Sequence, residues 1–154
     1  MSIYLVRHAS AGDRSRWHLN DKERPLDERG REQALRIADF FADSTVRAVW
    51  SSPATRCAQT VEPVAKVHSL DVQIRSELYE GATSRHLLEL ILEEAAAPGD
   101  LILSSHGDVI PGVLNRLLRS GLEVNGDRGC AKASVWELRI HDGVITEGIY
   151  TAKP

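Results

Sequence analysis

Three short apolar runs set the strongest constraint on how this chain can fold. They are Ile3-Tyr4-Leu5-Val6, the β-branched and aromatic stretch Val46 to Trp50, and Asp100 to Ser105 around Leu101-Ile102-Leu103. Each reads as a buried strand, and patterns with helical spacing separate them. Strands alternating with helices call for a mainly parallel sheet covered by helices on both faces, a three-layer α/β sandwich. No linker, repeat or low-complexity tract interrupts the 154 residues, a length that suits one domain spanning 1–154.

Between the strands the sequence carries readable starts and stops. Asp27 is an N-cap for a helix reaching about Ala42, with Ala34, Ile37, Ala38 and Phe41 on one face. Ser52 and Pro53 fit the cap and first position of a helix running to about Val67, which Pro63 should bend or end early. Val72 to Ile74 is a short strand, and Ser84 to Ala96 a helix stopped by Pro98-Gly99. Val109 to Arg119 is helical with Pro111 in its first turn, and Gly121 stops it. Glu123 to Lys132 reads as irregular. Ser134 to Ile140 and Val144 to Ile149 form a hairpin around His141-Asp142-Gly143. The polar stretch Ala9 to Pro25 is long for a structureless connection, and such loops are usually functional or mobile.

The chemistry gathers where strands stop. Arg7 and His8 follow the first strand, Arg56 follows the second, and His106 and Gly107 follow the third. In open α/β sheets ligands bind at the carboxyl ends of the strands. Two arginines and two histidines brought there make a pocket for a small, highly charged anion, with phosphate the first candidate. Arginine donates two parallel hydrogen bonds and stays charged, and amides near Gly107 at a helix start can add to this. An imidazole with an ordinary pKa near ~6.5 can attack phosphorus while its second nitrogen donates to a fixed acceptor. That role suits His8, and His106 would stabilise developing charge. The leaving oxygen still needs a proton, for which Glu77 and Glu80 are the available carboxylates.

These motifs resemble the histidine phosphatase superfamily, the phosphoglycerate mutase-like fold. Leu5-Val6-Arg7-His8-Ala9 is similar to its Arg-His-Gly signature, Ser51 to Thr60 to its second block, and Ser105-His106-Gly107 to its third. Leu78-Tyr79-Glu80 matches the pattern that places the proton donor, so the resemblance favours Glu80 over Glu77. It implies a phosphorylated His8, a phosphoryl group held by Arg7, Arg56 and His106, Glu80 as acid and base, and neither metal nor cofactor. Arg24 to Ala34 resembles the short phosphohistidine-phosphatase branch, and Thr60 to Ala65 with Lys132 to Trp136 the phosphatase domain fused to Nudix hydrolases in actinobacteria. Ala9 stands where the family has glycine. The long substrate-recognition insertions of phosphoglycerate mutases are missing, which argues against mutase activity.

The expected substrate is thus a phosphohistidine on a partner protein or a small nucleotide-type phosphate. A non-catalytic phospho-ligand binding module on the same fold is the alternative, and the placement of a carboxylate in the pocket separates the two. Gly107, Arg14, Lys132 and Ser134 are substrate-binding candidates, although Arg14, Arg16 and Lys22 read more readily as solvated loop charges than as ligands. Trp17 suits packing over the loop, and Cys57 packing beneath the site. His18, His68, His86 and His141 read as surface residues. A net charge of −3 gives no global attraction to nucleic acid or anionic membrane. The absence of a signal-peptide layout and the unpaired spacing of Cys57 and Cys130 suggest a cytoplasmic protein with reduced thiols. The pattern leaves the oligomeric state open, and no Gly-x-x-x-x-Gly-Lys or closely spaced metal-ligand motif is present.

Overall fold

The computed structural model describes residues 1–154 and contains one seven-stranded sheet with four helices. In chain order the elements are β1 (Ser2–Arg7), α1 (Glu28–Phe40), β2 (Val46–Ser51), α2 (Thr55–Val67), β3 (Val72–Ile74) and α3 (Ser84–Glu94). They continue with β4 (Asp100–Ser105), α4 (Val109–Arg119), β5 (Glu123–Val124), β6 (Val135–His141) and β7 (Val144–Thr151). The strand order is β3-β2-β4-β1-β6-β7-β5, and only β6 runs against the rest. The expected mainly parallel sheet is therefore present, with a Val135–Thr151 hairpin continuing it beyond β1.

Alternation along the strands explains the apolar runs. Ile3 and Leu5 of β1, Ala48 and Trp50 of β2, and Leu101 and Leu103 of β4 point into a core covered by Leu87 and Ile91 of α3 and by α4. Tyr4, Val6, Val49 and Ile102 point the opposite way, onto Ile37 of α1 and Val61 and Val64 of α2. Both faces of the central strands are buried, so both sets of side chains must be apolar. Removing one such side chain down to alanine costs about 2–5 kcal/mol.

Helix boundaries follow local chemistry with two departures. Asp27 caps α1 as expected, its Oδ1 accepting from the Gly30 N–H at 2.7 Å. The second helix starts at Thr55 and not at Pro53, with Ala54 at the N-cap position and no side-chain cap. Pro63 does not end α2, which runs on to Val67. The cost of an interior proline, about 3 kcal/mol, is offset by burying Val61, Val64 and Ala65 on either side of it. The two-residue β5 lies in a stretch that looked irregular, and its pairing with β7 is too short to leave a periodic signal.

Residues 9–25 are not a free loop. They contain two single-turn 3-10 helices, Arg14–Arg16 and Asp21–Glu23. Buried Arg24 donates to the Ala11 carbonyl at 2.6 Å and to Asp21 Oδ1 at 3.0 Å. Trp17 Nε1 donates to the Asn20 carbonyl within the loop. Asp27 Oδ2 accepts from the Ser10 hydroxyl at 2.7 Å and the Gly12 N–H at 3.1 Å, tying the loop's start to α1.

Candidate active site

The carboxyl ends of β1, β2 and β4 lie side by side, since Arg7 is opposite Ser105 and Ser51 is opposite Ser104. That register brings His8, Ser52 and His106 to one edge of the sheet. The His8 N–H donates to the Ser105 carbonyl and the Ser52 N–H to the Ser104 carbonyl, both at 3.0 Å. His8 and His106 face each other with ring centroids 5.6 Å apart and planes inclined at 64°.

The His8 ring is oriented by its own backbone. Nδ1 lies 2.9 Å from the Ala9 carbonyl, which accepts only hydrogen bonds, so Nδ1 carries the proton and Nε2 keeps its lone pair. Ala9 is held in turn by its N–H donating to Thr60 Oγ1 at 2.9 Å. Burial pushes the His8 imidazole down to about 3, with Arg56, His106 and Arg7 adding to the effect and the Ala9 carbonyl opposing it. Burial likewise takes His106 down to about 4, reinforced by Arg56 and opposed by Glu80 and Asp108. Both rings are therefore neutral at pH 7.

The two arginines reach the site by different routes. Arg7 lies against the turn after β4. Its Nη1 donates to the Cys130 carbonyl at 2.6 Å, and a Cβ at Gly107 would stand only 2.6 Å from Arg7 Cζ. Glycine is required there for Arg7 to lie across the backbone. Arg56 is wholly buried in the first turn of α2. Its Nη1 donates to the Asp21 carbonyl at 3.0 Å, and its Nη2 lies 3.1 Å from Glu80 Oε2 and 3.5 Å from His106 Nδ1. The Nε–H groups of both Arg7 and Arg56 are buried without a partner. Such donors cost about 1–3 kcal/mol each, so the site is built with more donors than the protein itself satisfies.

Glu80 follows the short 3-10 turn Ser76–Leu78, and its second oxygen accepts from Arg14 Nη2 at 2.8 Å. Arg14 is thus a partner of the carboxylate and part of the site's edge. Glu77 forms no ion pair or side-chain hydrogen bond, so of the two candidates Glu80 is the one that meets Arg56.

The side chains of the remaining candidates, Lys132 and Ser134, make no hydrogen bond or ion pair with the cluster. Lys132 is exposed and has no hydrogen bond or ion pair with His8, Arg56 or His106; it lines a cavity against α1. Ser134 is buried, its carbonyl accepts from the Arg7 N–H at 3.1 Å, and its hydroxyl has no partner. Cys57 sits beneath His106 as expected, with Sγ 3.5 Å from Nε2, and burial pushes its thiol up to about 12, too high for a nucleophile at neutral pH.

Several contributors escaped the sequence reading. Ser52 Oγ lies 2.8 Å from His106 Nε2 and also accepts from the Ala54 N–H, so a residue that looked like a helix cap fixes a histidine. Asp21 has Arg14, Arg24 and Arg56 within 3.4 Å of its carboxylate, and only the path of the loop reveals that. Tyr79 packs its ring 5.9 Å from His106. No three His, Cys, Asp or Glu side chains gather closely enough to chelate a metal ion.

Residues 3–89, more than half of the chain, match the model of the histidine phosphatase superfamily, branch 1. The chain belongs to that superfamily. Over 158 aligned positions it is 32% identical to an 8-oxo-(d)GTP phosphatase of Mycolicibacterium smegmatis, an alignment covering 99% of this chain and 48% of the relative. The chain therefore spans about half the length of that protein. A solved structure assigned as the phosphohistidine phosphatase SixA of Agrobacterium tumefaciens superposes with a TM-score of 0.71 at 26% identity, covering 92% of each chain. The protein histidine phosphatase SixA complexed with tungstate gives a TM-score of 0.75 at 16% identity, over 98% of this chain and 94% of the other. The three-layer arrangement of this histidine phosphatase superfamily member is thus the phosphoglycerate mutase-like fold.

Proposed function

We propose that this chain hydrolyses phosphate monoesters or phosphoramidates through a phosphohistidine intermediate on His8. The observation that carries the reading is the hydrogen bond from His8 Nδ1 to the Ala9 carbonyl. It leaves the Nε2 lone pair as the nucleophile beside two guanidiniums and a second imidazole. Nε2 attacks phosphorus, the bond from phosphorus to the leaving oxygen or nitrogen breaks, and the carboxylic acid of Glu80 gives that atom its proton. A water then attacks phosphorus, the P–N bond breaks, Glu80 takes the water's proton, and inorganic phosphate departs.

The charge balance supports these roles. Phosphoryl transfer needs positive charge around three equatorial oxygens and little else. Arg7 and Arg56 supply it, and their unpartnered Nε–H groups offer further donors. A dianion entering the pocket competes with the Glu80 carboxylate for Arg56. The same dianion favours the protonated form of His106, which then donates to a phosphoryl oxygen. The reaction so written assigns no role to a metal or cofactor.

The similarity to an 8-oxo-(d)GTP phosphatase supports a small nucleotide-type phosphate, and the similarity to a SixA protein supports a phosphohistidine protein. A binding-only role is less well supported, because Glu80 reaches the arginine that would hold the phosphoryl group. The test is turnover of an aryl phosphate by the wild-type chain and by His8→Ala, followed by a panel containing 8-oxo-nucleotides and a phosphohistidine protein. Loss of at least a thousandfold in a folded His8→Ala variant is expected. Undiminished turnover by that variant rules the covalent route out.

A further inference from the structure

A second concave feature opens on the α1 side of the sheet, a cavity of about 660 Å³ between α1 and the segments 131–133 and 152–154. Four cations line it: Arg29 and Arg36 of α1, Lys132 and Lys153. The only carboxylate side chain among its lining residues is Glu32. Residues 29, 32, 33 and 36 fall at i, i+3, i+4 and i+7, so one polar stripe of α1 forms the wall. The opposite stripe of that helix, with Ala34, Ile37 and Ala38, is buried in the core.

None of these four cations takes part in an ion pair. Of the chain's fifteen other basic residues, seven (Arg14, Arg16, Arg24, Arg47, Arg56, Arg85 and Arg139) have a carboxylate within 4 Å and eight do not, so what sets these four apart is that they share one hollow with a single carboxylate side chain. In a chain of net charge −3, four unpaired cations around one hollow mark it as an anion site. The hollow has the size of a small-molecule pocket, about 300–1,000 Å³. Guanidiniums offer paired N–H donors to phosphate oxygens, and lysines act as point charges.

The cavity shares chain segments with the His8 pocket. Ser10, two residues past His8, lines it and donates its N–H to Gln33 Oε1 at 2.9 Å. Ala133 also lines it and donates its N–H to the Arg7 and His8 carbonyls at 3.1 and 3.2 Å. Ala133 holds a positive φ of 63°, so the turn carrying Lys132 is fixed against the backbone of the site.

We propose that this cavity holds the phosphate groups of a small polyphosphate-bearing molecule, either the trailing phosphates of the substrate or a separate ligand. Only the first source rests on the phosphatase function proposed above. The test uses the full chain, inorganic tripolyphosphate as probe, and Arg29→Ala/Arg36→Ala, both exposed helix positions where alanine keeps the helix. Calorimetry at physiological ionic strength should show at least tenfold weaker binding in the variant. Hydrogen-exchange protection of residues 29–36 and 131–133, expected on adding the probe to the wild type, should disappear. Binding within twofold of wild type, or protection that survives the double substitution, overturns the proposal.

Inhibition of aryl phosphate turnover then identifies the source. Competitive inhibition that weakens in the variant assigns the cavity to the substrate's own trailing phosphates, and noncompetitive inhibition assigns it to a separate ligand. Binding and exchange are read without turnover. A chain that hydrolyses no phosphate ester would therefore defeat the catalytic reading and leave the anion site standing.

Discussion

Glu80 and Arg56 meet at 3.1 Å with the guanidinium wholly buried and the carboxylate about one-third exposed at 35%. The pair joins the core to the mouth of the site. Arg56 cannot leave without stranding its charge, whereas Glu80, held also by Arg14 at the rim, can swing toward solvent. An anion arriving at Arg56 thus meets a fixed cation and a displaceable carboxylate.

If Glu80 is the proton donor, Glu80→Gln should separate substrates by leaving group. Hydrolysis of an alkyl phosphate should fall by ~10²–10⁴ in kcat, the usual contribution of general acid catalysis. Hydrolysis of p-nitrophenyl phosphate should fall less than tenfold, because that leaving group needs little protonation. Steady-state rates on the two esters check this, and equal losses would reassign Glu80 to holding Arg56 in place.

Gly107→Ala should disturb Arg7 without disturbing the core. The added methyl would stand 2.6 Å from Arg7 Cζ and 2.8 Å from Nε, so the guanidinium must leave its place against the Cys130 carbonyl. A loss of at least tenfold in kcat/KM on an aryl phosphate is expected, with a change in unfolding free energy below ~1.5 kcal/mol. Activity assays paired with urea denaturation distinguish this from general destabilisation.

Stability should decline on mild acidification. His8 and His106 are held at about 3 and about 4, below the ordinary 6.5, so the unfolded chain binds these two protons first. Stability is therefore intact above pH 6.5 and falls as the pH drops toward 4, by about 1.4 kcal/mol per pH unit for each histidine. Urea denaturation in phosphate-free buffer across that window measures the slope. His106→Asn should make it shallower by about one proton.

Asp27→Ala should loosen both α1 and the loop before it, because one carboxylate caps Gly30 and also holds Ser10 and Gly12. Loss of an N-cap costs about 0.5–2 kcal/mol, and the two further bonds place this variant at the upper end. Denaturation gives the magnitude. Hydrogen exchange should show faster opening of residues 9–25 than in the wild type.

The sheet, the helices and the positions of Arg7, His8, Arg56 and His106 were legible because each depends on a local pattern. The central strands are apolar over most of their length, and Arg7, His8 and His106 fall where β1 and β4 stop. Asp108, which accepts the Gly81 N–H at 2.8 Å, and Asp21 left no such mark. Their roles arise where separate loops meet, and no periodicity encodes that meeting. Pro63 shows the same limit from the other side: its local cost is real, yet packing of Val61 and Val64 decides the outcome. Ser52 was legible as a cap to the following turn, but its bond to His106 required the register of β2 against β4.

The most direct test of the account is a rapid acid-free quench of the wild-type chain during turnover of an aryl phosphate, followed by intact-mass and peptide analysis. One phosphoryl group should appear on the peptide containing His8, labile to acid and stable to base, and absent from His8→Ala. Steady turnover with no phosphoryl group on that peptide, or with the label on another residue, would contradict the proposed intermediate.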